Sequence, residues 1–175
     1  MNENLIAKIR NVYDFPKKGI VFRDITTLLK DGEAFATAVK MLYERYKNSH
    51  IQKVVSIESR GFILGAALAH KLGVGFVPIR KPGKLPASTL RQEYALEYGT
   101  DAIEIHKDAI TPGERVLMHD DLLATGGTME AACKLVERLG GSIESIAFLI
   151  ELSFLSGRKR LSQYEIFSLI HYDSE

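Results

Sequence analysis

The chain has a single cysteine, Cys133, so it can form no internal disulfide. That suits a reducing cytoplasm, and the residue's helical position reads as a small buried core side chain. No apolar run approaches the roughly 18 residues of a membrane span. The early charges of the N-terminus leave no room for the apolar core of a secretion signal. Neither sign of charge dominates. Lys and Arg number 23 against 22 Asp and Glu, a formal net charge of +1, so nothing global draws the chain to nucleic acid or an anionic membrane. Two common nucleotide signatures are missing: no G-x-G-x-x-G follows a strand, and no Gly-Lys-Ser/Thr closes a glycine-rich loop. The histidines His50, His70, His106, His119 and His171 are scattered, without H-E-x-x-H or paired spacing, so no protein-ligated metal is expected. Repeats and low-complexity tracts are absent too. The length of 175 residues suits one domain, residues 1–175, with a proper core.

What is present centres on Val116–Thr128, VLMHDDLLATGGT. It starts as the apolar run of a buried strand, presents the adjacent acids Asp120 and Asp121, and ends in Ala124-Thr125-Gly126-Gly127-Thr128. A helical pattern, Met129–Leu139, follows. The first turn of a helix carries free N–H groups and a positive dipole end, which together bind anions. Gly126 and Gly127 let backbone approach a phosphate closely, and Thr125 and Thr128 add hydroxyl donors. The two carboxylates, one loop away, suit vicinal ribose hydroxyls. Thr128 as a plain helix N-cap, with Glu130 favouring the dipole, also explains the glycines and threonines. It does not explain two acids at the end of a buried strand.

The rest reads as alternating elements. Residues 2–10 suggest a short amphipathic helix, and 14–26 a loop punctuated by Pro16 and Gly19 that covers something apolar with Phe15, Ile20, Val21 and Phe22. Asp31 caps a helix over Glu33–Lys47. Lys53–Ile57 is a strand, followed by the polar turn Glu58-Ser59-Arg60-Gly61-Phe62 and a helix over Ile63–Leu72. Arg60 there is either a site cation or a surface ion pair. Val74–Ile79 is continuously apolar, as in a strand buried on both faces. Next comes Arg80-Lys81-Pro82-Gly83-Lys84, three cations in five residues, either a solvated turn or a ligand loop at a strand's carboxyl end. Thr89–Leu96 and Ala102–His106 alternate as an antiparallel hairpin with Glu97-Tyr98-Gly99 at its tip. Residues alone leave Glu97 as readily a surface acid as a functional one. Ile143–Ile150 and Phe167–Tyr172 complete the strands. The sum is an α/β fold with a mostly parallel twisted sheet flanked by helices.

Asp120-Asp121-Leu122-Leu123-Ala124-Thr125-Gly126-Gly127-Thr128 resembles the phosphoribosyl-pyrophosphate (PRPP) motif of the type I phosphoribosyltransferases. Three further segments resemble the branch of that family that uses adenine, and the likeness runs from about Asp14 to Tyr172. His119 departs from it, standing where the family usually has an apolar residue. The resemblance implies the type I fold, with an N-terminal hood (about 11–30) and a flexible hairpin lid (about 86–107). It implies that Asp120 and Asp121 hold the ribose, that Ala124–Thr128 hold the 5′-phosphate, and that Glu58, Ser59, Arg60, Arg80, Lys81 and Lys84 hold pyrophosphate. Phe22 would stack on adenine, with Arg23 beside it and backbone near Val21 and Arg23 reading the base edge. Glu97 and Tyr98, with Arg60, would serve the reaction centre. Gly157-Arg158-Lys159-Arg160-Leu161 would close the base pocket, with Glu151 near it, and Glu58–Ser59 would be a cis peptide. The implied activity is purine salvage: PRPP plus adenine gives AMP and pyrophosphate, with Mg²⁺ carried on PRPP, in a homodimer. Rival readings are transfer to hypoxanthine-guanine or orotate, or a PRPP-sensing regulator without catalysis. The hood and the Arg60 turn oppose the first. The presence of Glu97, the near-neutral charge and the lack of a spare domain oppose the second.

Overall fold

The structure, a computed structural model, describes residues 2–95 and 99–175. Glu97 and Tyr98 lie outside the described residues. The N-terminal helix α1 spans Asn2–Ile6 and is shorter than its apolar spacing suggests. The expected loop is instead a small antiparallel hairpin, β1 (Arg10–Tyr13) and β2 (Val21–Asp24). Pro16 and Gly19 mark its turn. The flanking strands are only four residues each, too short for a period of two to show. A single helical turn, α2 (Thr26–Leu29), leads to α3 (Gly32–Tyr46). Asp31 caps α3 as expected, its Oδ1 accepting from the N–H groups of Glu33 and Ala34, both at 3.1 Å.

The main sheet is five-stranded and wholly parallel: β3 (Lys53–Ile57), β4 (Gly75–Ile79), β7 (Arg115–Leu123), β8 (Ser142–Leu152) and β9 (Ile166–Tyr172), in the order β4-β3-β7-β8-β9. Helix α4 (Gly61–Leu72) connects β3 to β4, and α5 (Gly127–Arg138) connects β7 to β8. One face of the sheet packs on α3 and α4 through Leu42, Leu64, Leu68, Leu117 and Leu149. The other packs on α5 and on a hairpin, β5 (Thr89–Ala95) with β6 (Thr100–His106). This hairpin does not simply project. Ile103 and Ile105 are fully buried, so its stem belongs to the core.

Two expectations are corrected. Strand β4 is not buried on both faces: it is the sheet edge, and Phe76 and Pro78 stay partly exposed. Strand β7 does not stop at the acids. It runs through Asp120 and Asp121 to Leu123, pairing with β8 as far as Glu151, because Gly61 leaves room for the Asp120 carboxyl and Arg60 meets that of Asp121.

The sheet order fixes where a ligand fits. Strand β3 hands the chain outward to β4, and β7 hands it the other way to β8. The crevice beyond their carboxyl ends is the topological switch point of an open α/β sheet, the usual ligand position.

Candidate active site

Two strand-to-helix turns face that crevice. The first follows β3. Its Glu58–Ser59 peptide is cis, as expected. Gly61, the first residue of α4, has no side chain for a local reason: a Cβ there would lie 2.6 Å from Asp120 Oδ1. Asp120 thus sits against a helix start and also accepts from the N–H of Asp121 at 2.9 Å. Burial, added to by the Asp121 carboxylate, pushes the Asp120 carboxyl well above the usual carboxylate range. Burial raises Asp121 as well, with Arg60 opposing it. Arg60 Nε stands 2.9 Å from Asp121 Oδ2, an oxygen with no hydrogen bond of its own. The Arg60 guanidinium also lies 4.9 Å from the centre of the Phe22 ring. Asp121, Arg60 and Phe22 therefore form one continuous contact from the acidic pair to the hood.

The second turn follows β7. Gly126 caps α5 with φ +82°, the left-handed region that favours glycine. This corrects the reading of Thr128 as N-cap: Thr128 lies in the first turn of α5. Thr125, Gly127 and Thr128 line a cavity of about 630 Å³ together with Tyr94 and Ala95 of the hairpin, Leu155 and Arg160. Gly157 closes in from behind. A Cβ on Gly157 would meet the Ala124 carbonyl oxygen at 2.2 Å and Leu123 Cδ1 at 2.9 Å. Gly157→Ala is therefore expected to cost about 1–3 kcal/mol through overpacking and to lower the melting temperature. An unshifted melting curve would refute the packing argument.

The basic loop after β4 is already engaged. Glu58, largely buried, accepts from Arg80 Nε and Lys84 Nζ, both at 2.7 Å. Burial pushes the Glu58 carboxyl up, but these two bonds outweigh it and leave it below its ordinary range. Lys81 turns away to Asp101 and Tyr94 of the hairpin. The sequence reading grouped all six pyrophosphate candidates. The structure brings Glu58, Arg80 and Lys84 together, with Arg60 two residues along the same turn as Glu58, and sends Lys81 elsewhere. Val21 is half-buried in β2, paired with Tyr13. The Arg23 side chain is buried away from Phe22. It donates to Asn11 Oδ1 at 2.6 Å and stacks 4.0 Å from the centre of the Tyr172 ring, so Arg23 can offer a base only its backbone.

One feature, Ser56, escaped sequence reasoning, and two that the sequence singled out, Glu151 and His119, find their surroundings here. Ser56 Oγ bridges the carbonyls of Gly61 (3.0 Å) and His119 (2.9 Å), tying the first turn to strand β7. Glu151 is held by Arg158 (2.7 and 2.8 Å) and Ser168 (2.7 Å), which anchors the Gly157 segment. His119 sits fully buried behind the acids, neither ring nitrogen hydrogen-bonded. A histidine in an apolar strand was visible, but its burial depends on neighbours far along the chain.

Burial drives the His119 pKa down to about 4 from 6.5. As pH falls below about 6.5 the unfolded chain takes up this proton while the folded chain refuses it until about 4. Stability is therefore full above 6.5 and is lost through that window. At pH 4.5 the loss from this residue is roughly 2–3 kcal/mol. His119→Leu should remove it, which denaturant titrations at pH 7 and 4.5 will read. Identical pH slopes for the two proteins would contradict this account.

Among the described residues no group of three or more His, Cys, Asp or Glu could hold a metal ion, and no helix is long and apolar enough to cross a membrane. The phosphoribosyl transferase domain family matches residues 25–173. An adenine phosphoribosyltransferase of Chloroflexus aurantiacus is 59% identical over 170 residues, covering 97% of this chain and 98% of that one. The crystal structure of the Thermoanaerobacter pseudethanolicus adenine phosphoribosyltransferase superposes with a TM-score of 0.96 at 56% identity, covering 98% and 100% of the two chains. The Saccharomyces cerevisiae enzyme, complexed with an imino-altritol bisphosphate and adenine, gives a TM-score of 0.91 at 39% identity over 96% and 97%. The switch-point crevice, its acidic pair and its glycine corner thus come with full-length likeness, and the chain belongs to the adenine phosphoribosyltransferases of the phosphoribosyl transferase domain family.

Proposed function

We propose that the chain transfers the 5-phosphoribosyl group of PRPP to adenine, releasing AMP and pyrophosphate, in a Mg²⁺-dependent step of purine salvage. The observation that carries this reading is the pairing of an acidic strand end with a glycine-capped helix start at the switch point. The amides and hydroxyls of Ala124–Thr128 hold the 5′-phosphate. Asp120 and Asp121 accept from the ribose hydroxyls, and Asp121 Oδ2, ion-paired with Arg60 but with no hydrogen bond of its own, is suited to that. Arg60, Arg80 and Lys84 receive pyrophosphate, the latter two by leaving Glu58. Phe22 covers the adenine ring, and the backbone of Val21 and Arg23 reads its edge. The C1′–oxygen bond to pyrophosphate breaks as adenine N9 bonds to C1′. The N9 proton goes to Glu97 or to solvent. No covalent nucleophile is needed: positioning and charge stabilisation suffice.

The acid pair suits Mg²⁺ too, since carboxyls this crowded gain from a nearby dication. Asp120 and Asp121 would hold it through water and the ribose hydroxyls. Held there with PRPP, the ion would supply positive charge to offset the negative charge of the leaving pyrophosphate. A cytoplasmic homodimer completes the proposal. The buried Cys133, its thiol pushed up to about 12 by burial, calls for no oxidising compartment. Neither nucleic acid nor membrane is a partner, in keeping with the balanced charge. The deciding experiment is a spectrophotometric adenine-to-AMP assay with and without Mg²⁺, with guanine, hypoxanthine and orotate as competitors, beside light scattering for the dimer. AMP formation that needs Mg²⁺ and ignores the other bases supports the reading. No pyrophosphate release on mixing PRPP with adenine overturns it.

A further inference from the structure

Each cation of the pyrophosphate group already has a carboxylate. Arg60 is 2.9 Å from Asp121, Arg80 and Lys84 are 2.7 Å from Glu58, and Lys81 is on Asp101. None of these four lines the corner at the start of α5. One other cation does. Arg160, from the short segment after β8, is the single charged side chain on that cavity among the described residues. Its Nη1 lies 3.0 Å from the point where Gly127 would carry a Cβ, so the guanidinium fills the space that the glycine leaves over the first turn of the helix. It makes no hydrogen bond among the described residues. Its nearest acid, Glu130, is 3.9 Å away and already pairs with Lys134 at 2.8 Å.

The position is built. Arg158, two residues earlier, forks onto the buried Glu151 and also donates to the Ile166 carbonyl at 3.1 Å. Leu161, one residue later, is fully buried. Gly157 packs onto the Ala124 carbonyl. The backbone on either side of Arg160 is therefore fixed, and its half-exposed side chain reaches the corner from there. Chemistry calls for such a group. A phosphate dianion leaving water for a corner of neutral amides and hydroxyls lacks a full counter-charge. A guanidinium supplies that charge and a planar fork that fits two phosphate oxygens.

We propose that Arg160 is a substrate-binding residue for the 5′-phosphate of PRPP and AMP, closing the phosphate corner from the side opposite the helix amides. This deepens the reading of the site and rests on it.

The test is calorimetric titration of the full chain with AMP, adenosine and adenine, for wild type, Arg160→Ala, Arg160→Lys and Thr128→Val. Adenosine keeps the base and ribose and lacks only the phosphate. Arg160→Ala is expected to raise the AMP dissociation constant about tenfold to a hundredfold and to leave adenosine and adenine unchanged. Arg160→Lys should recover part of the loss. If Arg160→Ala leaves AMP binding intact while Thr128→Val weakens it, Arg160 has no such role and the corner assignment survives. If neither variant weakens AMP, the corner assignment falls with it. If Arg160→Ala weakens AMP and adenosine equally, its role is structural and the proposal is overturned.

Discussion

Asp121→Asn lowers the affinity for PRPP by about a hundredfold or more and leaves adenine affinity nearly unchanged. Asparagine keeps the volume, so the change isolates the charge. Two effects oppose each other. On the proposed reading, losing the carboxylate removes charge-assisted bonds to ribose hydroxyls, each worth roughly 1.5–3 kcal/mol. Arg60, freed from Asp121, gains some reach toward pyrophosphate. The second effect is the smaller, because the Arg60 side chain is 37% exposed and partly screened by water, whereas that of Asp121 is 7% exposed. Titration with PRPP reads the outcome. A dissociation constant equal to wild type would mean that the ribose sits elsewhere.

Glu97→Gln acts on a different quantity. It lowers kcat by about two to three orders of magnitude with little change in either KM. Ala95, the last described residue before Glu97, lines the cavity at the start of α5 beside Thr125 and Thr128. Gln keeps the hydrogen-bonding shape and loses the charge, so a drop in turnover at constant KM marks transition-state stabilisation. Equal kcat in the two proteins would return Glu97 to the surface reading.

How much was legible beforehand depended on how local the cause was. Lys53–Ile57 was read to the residue, because the β-branched Val54, Val55 and Ile57 followed by a polar turn have few other solutions. The Asp31 cap and the glycine corner were legible for the same reason: their chemistry lies within four residues. The end of β7 was not. Asp120 and Asp121 look like a strand terminator until Gly61 and Arg60, some sixty residues earlier, make room and charge for them. The burial of the Arg23 side chain was not legible either, because Tyr172, on whose ring it stacks, is 149 residues away. Arg160 stood in a segment that the family resemblance had singled out as closing the base pocket. Only the packing of Gly157 and the fork of Arg158 reveal which of the three cations there faces the corner.

The bridging of Ser56 between Gly61 and His119 belongs to a larger constraint. Strands β3 and β7 are direct neighbours, paired in register from Lys53 with Val116 to Ser56 with His119. The gap between the two turns they launch is thus a multiple of main-chain geometry, about 4.8 Å per strand step, and owes nothing to side-chain rotamers. Evolution or engineering can retune what either turn grips by exchanging residues. The span between those grips behaves as a fixed gauge length, and altering it means breaking hydrogen bonds in the middle of the sheet.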